Sequence, residues 1–241
     1  MSGPGTLWLV GTPIGNLGDL PPAARARLGA VDVVAAEDTR RTRKLLTAFA
    51  LAPPRLVSIR AENEERSVPL VLRWLGDGRD VALVTDAGMP GISDPGARLV
   101  QGVLAGGGAV RVEPGPDAAS AAILASGFAV ERWCFDGFVP RRGPKRRAWL
   151  AGLAAEPGAV VVYESPHRLL ALLDDLAATL PPDRPVAVAN DLTKLFSRIT
   201  RGPAAEVRAR LAAAGDPRGE IALVIAPTRT GVTTGSGRSP W

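Results

Sequence analysis

Three short apolar runs in this chain stop abruptly at backbone-turning residues and lead at once into helix-forming sequence. They are Leu9-Val10-Gly11-Thr12-Pro13-Ile14-Gly15-Asn16, the stretch Val84-Thr85-Asp86-Ala87-Gly88-Met89-Pro90-Gly91-Ile92-Ser93-Asp94-Pro95, and Tyr163-Glu164-Ser165-Pro166-His167-Arg168. In the third, Ser165 has the N-cap residue type and Pro166 suits the first helical position, so the chain turns sharply and leaves Glu164 at a strand end. Strand-to-helix junctions of this kind belong to α/β sheets, whose ligands sit at strand ends. Together the three predict one ligand site built from strand ends.

The rest of the chain agrees. Strands are predicted at Thr6 to Val10, Val31 to Ala36, Val81 to Thr85, Ala109 to Glu113, Trp133 to Phe138, Ala159 to Tyr163, Pro185 to Ala189 and Ile221 to Ile225. Helices are predicted at Leu20 to Leu28, Thr42 to Phe49, Ser67 to Leu75, Ala97 to Ala105 and Ala118 to Ser126. The expected fold is α/β with a boundary near Pro114 to Asp117, giving domains over 1–115 and 116–227. Residues 228–241 mix Thr, Gly, Ser and Pro without periodicity and read as a disordered tail.

At 46% hydrophobic content, with no apolar run near the ~20 residues of a membrane span, the chain reads as soluble. One cysteine, Cys134, cannot form an internal disulfide, and the N-terminus lacks a signal-peptide pattern, so a reducing cytoplasm is expected. One histidine and one cysteine leave too few ligands for a zinc site of the usual type.

The formal charge of +5 favours a polyanionic partner, and its distribution says more than its total. From Thr39 to Arg60 there are six cations, Arg40, Arg41, Arg43, Lys44, Arg55 and Arg60, and no acid. A second cluster, Arg141, Arg142, Lys145, Arg146 and Arg147, surrounds Gly143-Pro144, a loop signal. Each alone could be a solvated face; two acid-free clusters favour phosphate-backbone binding. The scattered tryptophans form no stacking platform by spacing.

The glycine loop Gly11 to Gly18 has neither the dinucleotide fingerprint nor P-loop spacing, so its residues alone allow a tight turn or a ligand loop. Asp86 to Gly91 is likewise a turn or a place where a ligand approaches the main chain. Read in order, however, Gly11-Thr12-Pro13-Ile14-Gly15-Asn16-Leu17, Glu37-Asp38-Thr39-Arg40, Asp86-Ala87-Gly88, Ser93-Asp94-Pro95-Gly96, Pro114-Gly115-Pro116, Gly137-Phe138-Val139-Pro140, Tyr163 to Arg168, Leu192-Thr193-Lys194 and Gly219-Glu220 carry more. From about Thr6 to Ile225 the chain resembles the 16S ribosomal RNA (cytidine 2′-O)-methyltransferases of the tetrapyrrole methylase superfamily.

The resemblance implies two α/β domains, each with a mixed sheet, with S-adenosylmethionine in the cleft between them, and a homodimer. It implies methylation of the ribose 2′-oxygen of a decoding-centre cytidine in 16S rRNA of the small ribosomal subunit. Its cofactor-contact motifs fall on Ile14, Ala87, Gly88, Met89, Ile92, Asp117, Ala118, Glu164 and Leu192. Glu37 matches a position where an acid takes up a proton, with Asp38 and Arg40 able to orient it or hold phosphate, and Lys194 is a second candidate base. Helix capping by Asp38 or Thr39 and a surface ion pair of Lys194 are the plainer alternatives. The RNA contacts are assigned to Arg41, Arg43, Lys44, Arg141, Arg142, Lys145, Arg146 and Arg147. His167 is read as structural or substrate-orienting and Tyr163 as core.

Several positions depart from the family pattern: Glu62, Met89, Asp117, Asp136 and Asn190-Asp191 stand where other residues are usual. A tetrapyrrole methyltransferase would share fold and cofactor but has less use for the basic clusters. A non-catalytic RNA-binding protein would need the clusters and not the cofactor motifs.

Overall fold

The computed structural model describes residues 3–52, 54–215 and 217–228. The chain divides into two compact units, one reaching to Ala118 and taking in Thr193–Leu195, the other starting at Ala119. The first contains β1 (Thr6–Val10), α1 (Pro22–Ala30), β2 (Val33–Ala36), α2 (Thr39–Ala48), β3 (Arg55–Ser58), α3 (Glu64–Gly76), β4 (Val81–Val84), α4 (Ala97–Ala105) and β5 (Ala109–Glu113). The second contains α5 (Ala118–Ser126, its first residue grouped with the first unit), β6 (Trp133–Phe138), α6 (Gly143–Ala155), β7 (Ala159–Glu164), α7 (Pro166–Thr179), β8 (Val186–Asn190), β9 (Arg198–Gly202), α8 (Ala204–Ala213) and β10 (Ile221–Ile225).

The first sheet has the order β3-β2-β4-β1-β5 and is parallel throughout. This corrects the expectation of a mixed sheet in both domains. Each connection runs back through a helix, so each strand re-enters in the same direction. Strand alternation divides the core between two faces. Leu7, Val33, Ala35, Val81 and Leu83 pack with Val71, Trp74, Leu99 and Val103 of α3 and α4, whereas Trp8, Val10, Val34, Ala36, Ala82 and Val84 pack with Ala24, Leu28 and Leu46 of α1 and α2. The chain therefore leaves neighbouring strands β1 and β4 toward opposite faces. That divergence opens a crevice at their C-terminal ends, the topological switch point where α/β sheets hold ligands.

The second sheet, β6-β7-β10-β8-β9, is mixed as expected: β6 and β7 are parallel, and β10 runs antiparallel to β7 and β8. Val160, Val162, Val188 and Leu223 pack under Leu169, Leu172, Leu173 and Leu176 of α7, and Val161, Ala187, Ala189 and Val224 pack against Ala119 and Ala122 of α5. Among the described residues no helix is long and apolar enough to cross a membrane.

Several boundaries differ from the sequence reading for local reasons. Helix α2 starts at Thr39 rather than Thr42, because Asp38 caps it by accepting the Arg40 N–H. Helix α3 starts at Glu64, a turn earlier than predicted, and carries Pro69 inside it. Gly143-Pro144 is not a loop but the first turn of α6, where a proline lacks nothing the helix needs. The predicted tail begins at Thr228, whose N–H and hydroxyl both donate to the Pro157 carbonyl; its remainder lies outside the described residues.

Candidate active site

The crevice between β1 and β4 is closed at its base by main chain. Thr12 and Gly88 exchange two backbone hydrogen bonds, 2.9 and 3.1 Å, and the buried Thr12 hydroxyl donates to the Thr85 carbonyl at 3.2 Å. Gly88 has φ +82°, a conformation that favours glycine. On the β5 side the backbones of Gly11 and Gly115 touch: a Cβ on Gly11 would lie 2.5 Å from the Gly115 Cα and 2.7 Å from the Met89 sulfur. Ile14 lies over Gly88 with the Pro116 carbonyl nearby. Thus Ile14 with Gly88, and Gly11 with Met89, come together from loops more than 70 positions apart at the ends of β1 and β4. Ala87 is half-buried beside Gly88, Asp117 and Ala118 are half-buried where the chain passes from β5 into α5, and Ile92 is exposed.

One strand over, the end of β2 presents Glu37. Its carboxylate accepts the Asp86 N–H at 3.4 Å, and Asp86 in turn accepts the Asp38 N–H at 3.2 Å. The Glu37 carbonyl receives Ser58 and Arg60, each at 3.3 Å, which fixes the backbone while leaving the carboxylate to the site. Burial pushes the Glu37 pKa above the ordinary carboxylate value, and the charge of Asp86 adds to the rise; the Asp86 N–H, Arg41 and Arg60 oppose it. Asp94 is the third acid here, pushed up to about 6 by burial and by the charges of Glu37 and Asp86. A carboxyl with a raised pKa is a better proton acceptor near neutral pH.

The loop carrying Asp94 is held from below by Glu64, which the sequence reading missed. Its buried side chain accepts the backbone N–H groups of Gly96, Arg98 and Leu99 at 2.6, 3.1 and 3.2 Å, capping α4 from a neighbouring helix. No sequence motif marks such a cap, because donor and acceptor lie over 30 positions apart.

Asp94 also yields a stability prediction with a definite sign. A folded-state pKa of about 6 against an ordinary value of 3.8 means the folded protein holds this proton longer than the unfolded chain. The stabilisation from that proton is full below the unfolded value and is lost as pH rises through about 6. Asp94→Asn is therefore expected to raise the melting temperature at pH 8 and to match wild type below about pH 4, as thermal unfolding across pH would show. A gain independent of pH would mean that ionisation of Asp94 is not the cause.

The other assigned residues divide into groups. Asp38 and Arg40 are paired with each other at 2.8 Å, and the arginine holds the Asp38 carboxyl well below its usual range. Asp38 caps α2 as the plainer alternative had it, and the pair stands at the exposed edge of the site. Arg41 binds Asp86 at 3.3 Å, and Arg43 and Lys44 are exposed on α2. In the second cluster Arg141, Arg142, Lys145 and Arg147 are exposed. Arg146 must be withdrawn from the RNA set: it is largely buried, bound to Asp175 of α7 at 2.6 Å and donating to the Pro140 carbonyl at 3.1 Å.

In the second unit Glu164 ends β7 as predicted, fully buried. One carboxylate oxygen accepts the Ser165 N–H at 2.7 Å and pairs with Arg168, while the other is buried without a hydrogen-bond partner. Ser165 occupies the N-cap of α7, but its side chain makes no capping bond. Leu192 packs on the α5-side core of this unit, Lys194 is half-buried, His167 is exposed, and Tyr163 packs edge-on against Phe135 and Phe138.

Two parallel-strand loops crossing at a glycine crevice beside a raised carboxylate are features of this sheet edge, and comparison with known proteins identifies its family. The model of the tetrapyrrole (corrin/porphyrin) methylases matches residues 6–208. The chain belongs to the tetrapyrrole methylase family. Within that family it is 44% identical to ribosomal RNA small subunit methyltransferase I of Mycobacterium tuberculosis over 92% of this chain and 78% of that protein. The protein of the same name from Thermotoga maritima is 41% identical over 92% of this chain and 98% of its own. Among solved structures, uroporphyrin-III C-methyltransferase from Thermus thermophilus, complexed with S-adenosylhomocysteine, superposes with TM-score 0.62 over 92% of this chain and 97% of that one, at 21% identity. That last likeness establishes the tetrapyrrole methylase fold.

Proposed function

We propose that this protein uses S-adenosylmethionine to methylate the ribose 2′-oxygen of a decoding-centre cytidine in 16S rRNA, acting in the cytoplasm as a homodimer. The observation that carries the chemistry is Glu37, a carboxyl with a raised pKa fixed at the end of β2 on the strand-end edge that holds the glycine crevice. The rRNA substrate class is supported by relatives at 41–44% identity, all named ribosomal RNA small subunit methyltransferase I.

The residues present suit the cofactor. The Gly11–Gly115 contact and the positive φ of Gly88 leave main chain rather than side chains facing the crevice, which lets a flat, polar-edged ligand approach backbone groups. Ile14 and Met89 give it an apolar wall. In the first unit Ile14, Ala87, Gly88, Met89, Ile92, Asp117 and Ala118 would hold S-adenosylmethionine, which supplies an electrophilic methyl group on a sulfonium; Glu164 and Leu192 are assigned to the cofactor by their match to the family motifs alone. Glu37 takes the proton from the ribose 2′-hydroxyl as the oxygen becomes the nucleophile, and Asp86 fixes the Glu37 carboxylate through its N–H. Lys194 is the second candidate base. Arg43, Lys44, Arg141, Arg142, Lys145 and Arg147 bind RNA phosphates, with Arg41 divided between that role and Asp86.

The deciding experiment supplies labelled S-adenosylmethionine, with a chelator present, to small ribosomal subunits, to deproteinised 16S rRNA and to a uroporphyrinogen-type tetrapyrrole. The expected product is 2′-O-methylcytidine in the RNA, identified by nucleoside mass spectrometry. Label in the tetrapyrrole alone would overturn the rRNA assignment. Gly11→Ala is expected to weaken cofactor binding about tenfold, because its Cβ meets backbone that can yield only by moving the crevice wall, a strain of ~1–3 kcal/mol. Calorimetry measures it, and wild-type affinity would remove the crevice from the binding site.

A further inference from the structure

The hairpin joining β8 to β9 exposes two large apolar side chains at its tip, Leu195 at 88% and Phe196 at 82% exposure. The base of this hairpin is firmly held. Asn190 pairs with Arg198 across the strands, and its side chain donates to the Arg218 carbonyl at 2.8 Å. The Asp191 N–H donates to the Glu220 carbonyl at 2.9 Å, and the Asp191 carboxylate receives the Glu220 N–H at 3.2 Å. Asp191 and Thr193 adopt positive φ, 50° and 64°, which bends the chain out of the sheet. Leu195 and Phe196 are thus exposed on a turn whose base is fixed. From Thr193 to Arg198 it carries two cations, Lys194 and Arg198, and no acid. Arg198 and Arg218 are both exposed at the base.

An exposed phenylalanine two positions from an exposed arginine is costly to leave in water, and it matches the chemistry of an unpaired nucleotide: a π-face for the base and a cation for the phosphate. We infer that Phe196 stacks on an unpaired base of the RNA substrate, with Arg198 holding an adjacent phosphate. The inference rests on the rRNA reading and adds to it a substrate contact that lies in neither basic cluster. It also specifies the RNA conformation: a base in a duplex offers no free face, so the segment recognised here is single-stranded or opened.

The test compares wild type with Phe196→Ala, Phe196→Trp and Arg198→Glu in equilibrium binding to small ribosomal subunits. Cofactor binding by calorimetry and oligomeric state by sedimentation are measured alongside. Phe196→Ala is expected to weaken RNA binding about tenfold or more with little dependence on salt, and Phe196→Trp to keep wild-type affinity. Arg198→Glu is expected to give a loss that shrinks as salt rises. Wild-type affinity in Phe196→Ala, or a change in oligomeric state that accounts for its loss, overturns the inference while leaving the rRNA reading in place. Wild type that neither binds nor methylates small subunits overturns both.

Discussion

Glu37→Gln is expected to lower the rate of methyl transfer about 10²-fold or more, with folding and cofactor affinity close to wild type. The substitution keeps the shape of the side chain and an oxygen to accept the Asp86 N–H, so the loop contact at 3.4 Å survives. It removes the group that can accept the 2′-hydroxyl proton. The pH dependence gives a second reading of the same residue. Burial and the charge of Asp86 raise the Glu37 pKa above its ordinary value, so the protonated, inactive form persists to higher pH. Wild-type activity should therefore fall as pH drops through that raised pKa, and the variant should lose this limb. Asp94, titrating at about 6 and interacting with Glu37, broadens the transition into the behaviour of a coupled pair. Single-turnover transfer of labelled methyl to small subunits measures both quantities. Wild-type rate in the variant would leave Glu37 a structural residue and move the base assignment to Lys194.

The largest stability effect is expected at Arg184, which no sequence motif marks. Its side chain is 3% exposed in relative terms with its residue and donates to four main-chain carbonyls: Ala226 at 2.8 Å, Glu156 at 2.9 Å, Gly158 at 3.3 Å, and Leu153. Those carbonyls lie at the end of α6, before β7 and after β10, so one guanidinium closes an edge of the second unit. Five donors in a rigid fork suit this task, and burial draws the guanidinium pKa below its ordinary value. Arg184→Ala is expected to cost about 3–5 kcal/mol, since it leaves buried acceptors without partners. Arg184→Lys should recover part of that loss by serving some of the carbonyls. Urea unfolding of the second unit, with hydrogen exchange in β7 and β10 as the local probe, checks both variants. An unchanged unfolding midpoint for Arg184→Ala would mean that water serves the carbonyls equally well.

The strand-end junctions were readable from sequence because turn chemistry is local. Gly11, Gly88, Ser165 and Pro166 mark where a strand must stop whatever surrounds it, and β1, α4, β5, α5, β6 and β10 match their predicted bounds. Strands β3 and β9 escaped notice because both are edge strands, short or interrupted by arginine, where a continuous apolar run is not required. The order of motifs along the chain was enough to place it in the tetrapyrrole methylase family. Which residues face one another was a different matter. Strand order sets Glu37 beside Asp86, 49 positions away, and Glu64 beneath Gly96, 32 away. It also commits Arg146 to Asp175 and Arg184 to four distant carbonyls, while residues of identical type nearby remain exposed. Periodicity and capping describe a residue's own helix or strand. A charge acquires its partner, its burial and its pKa only when separate elements are packed together, so those properties were decided by the tertiary structure.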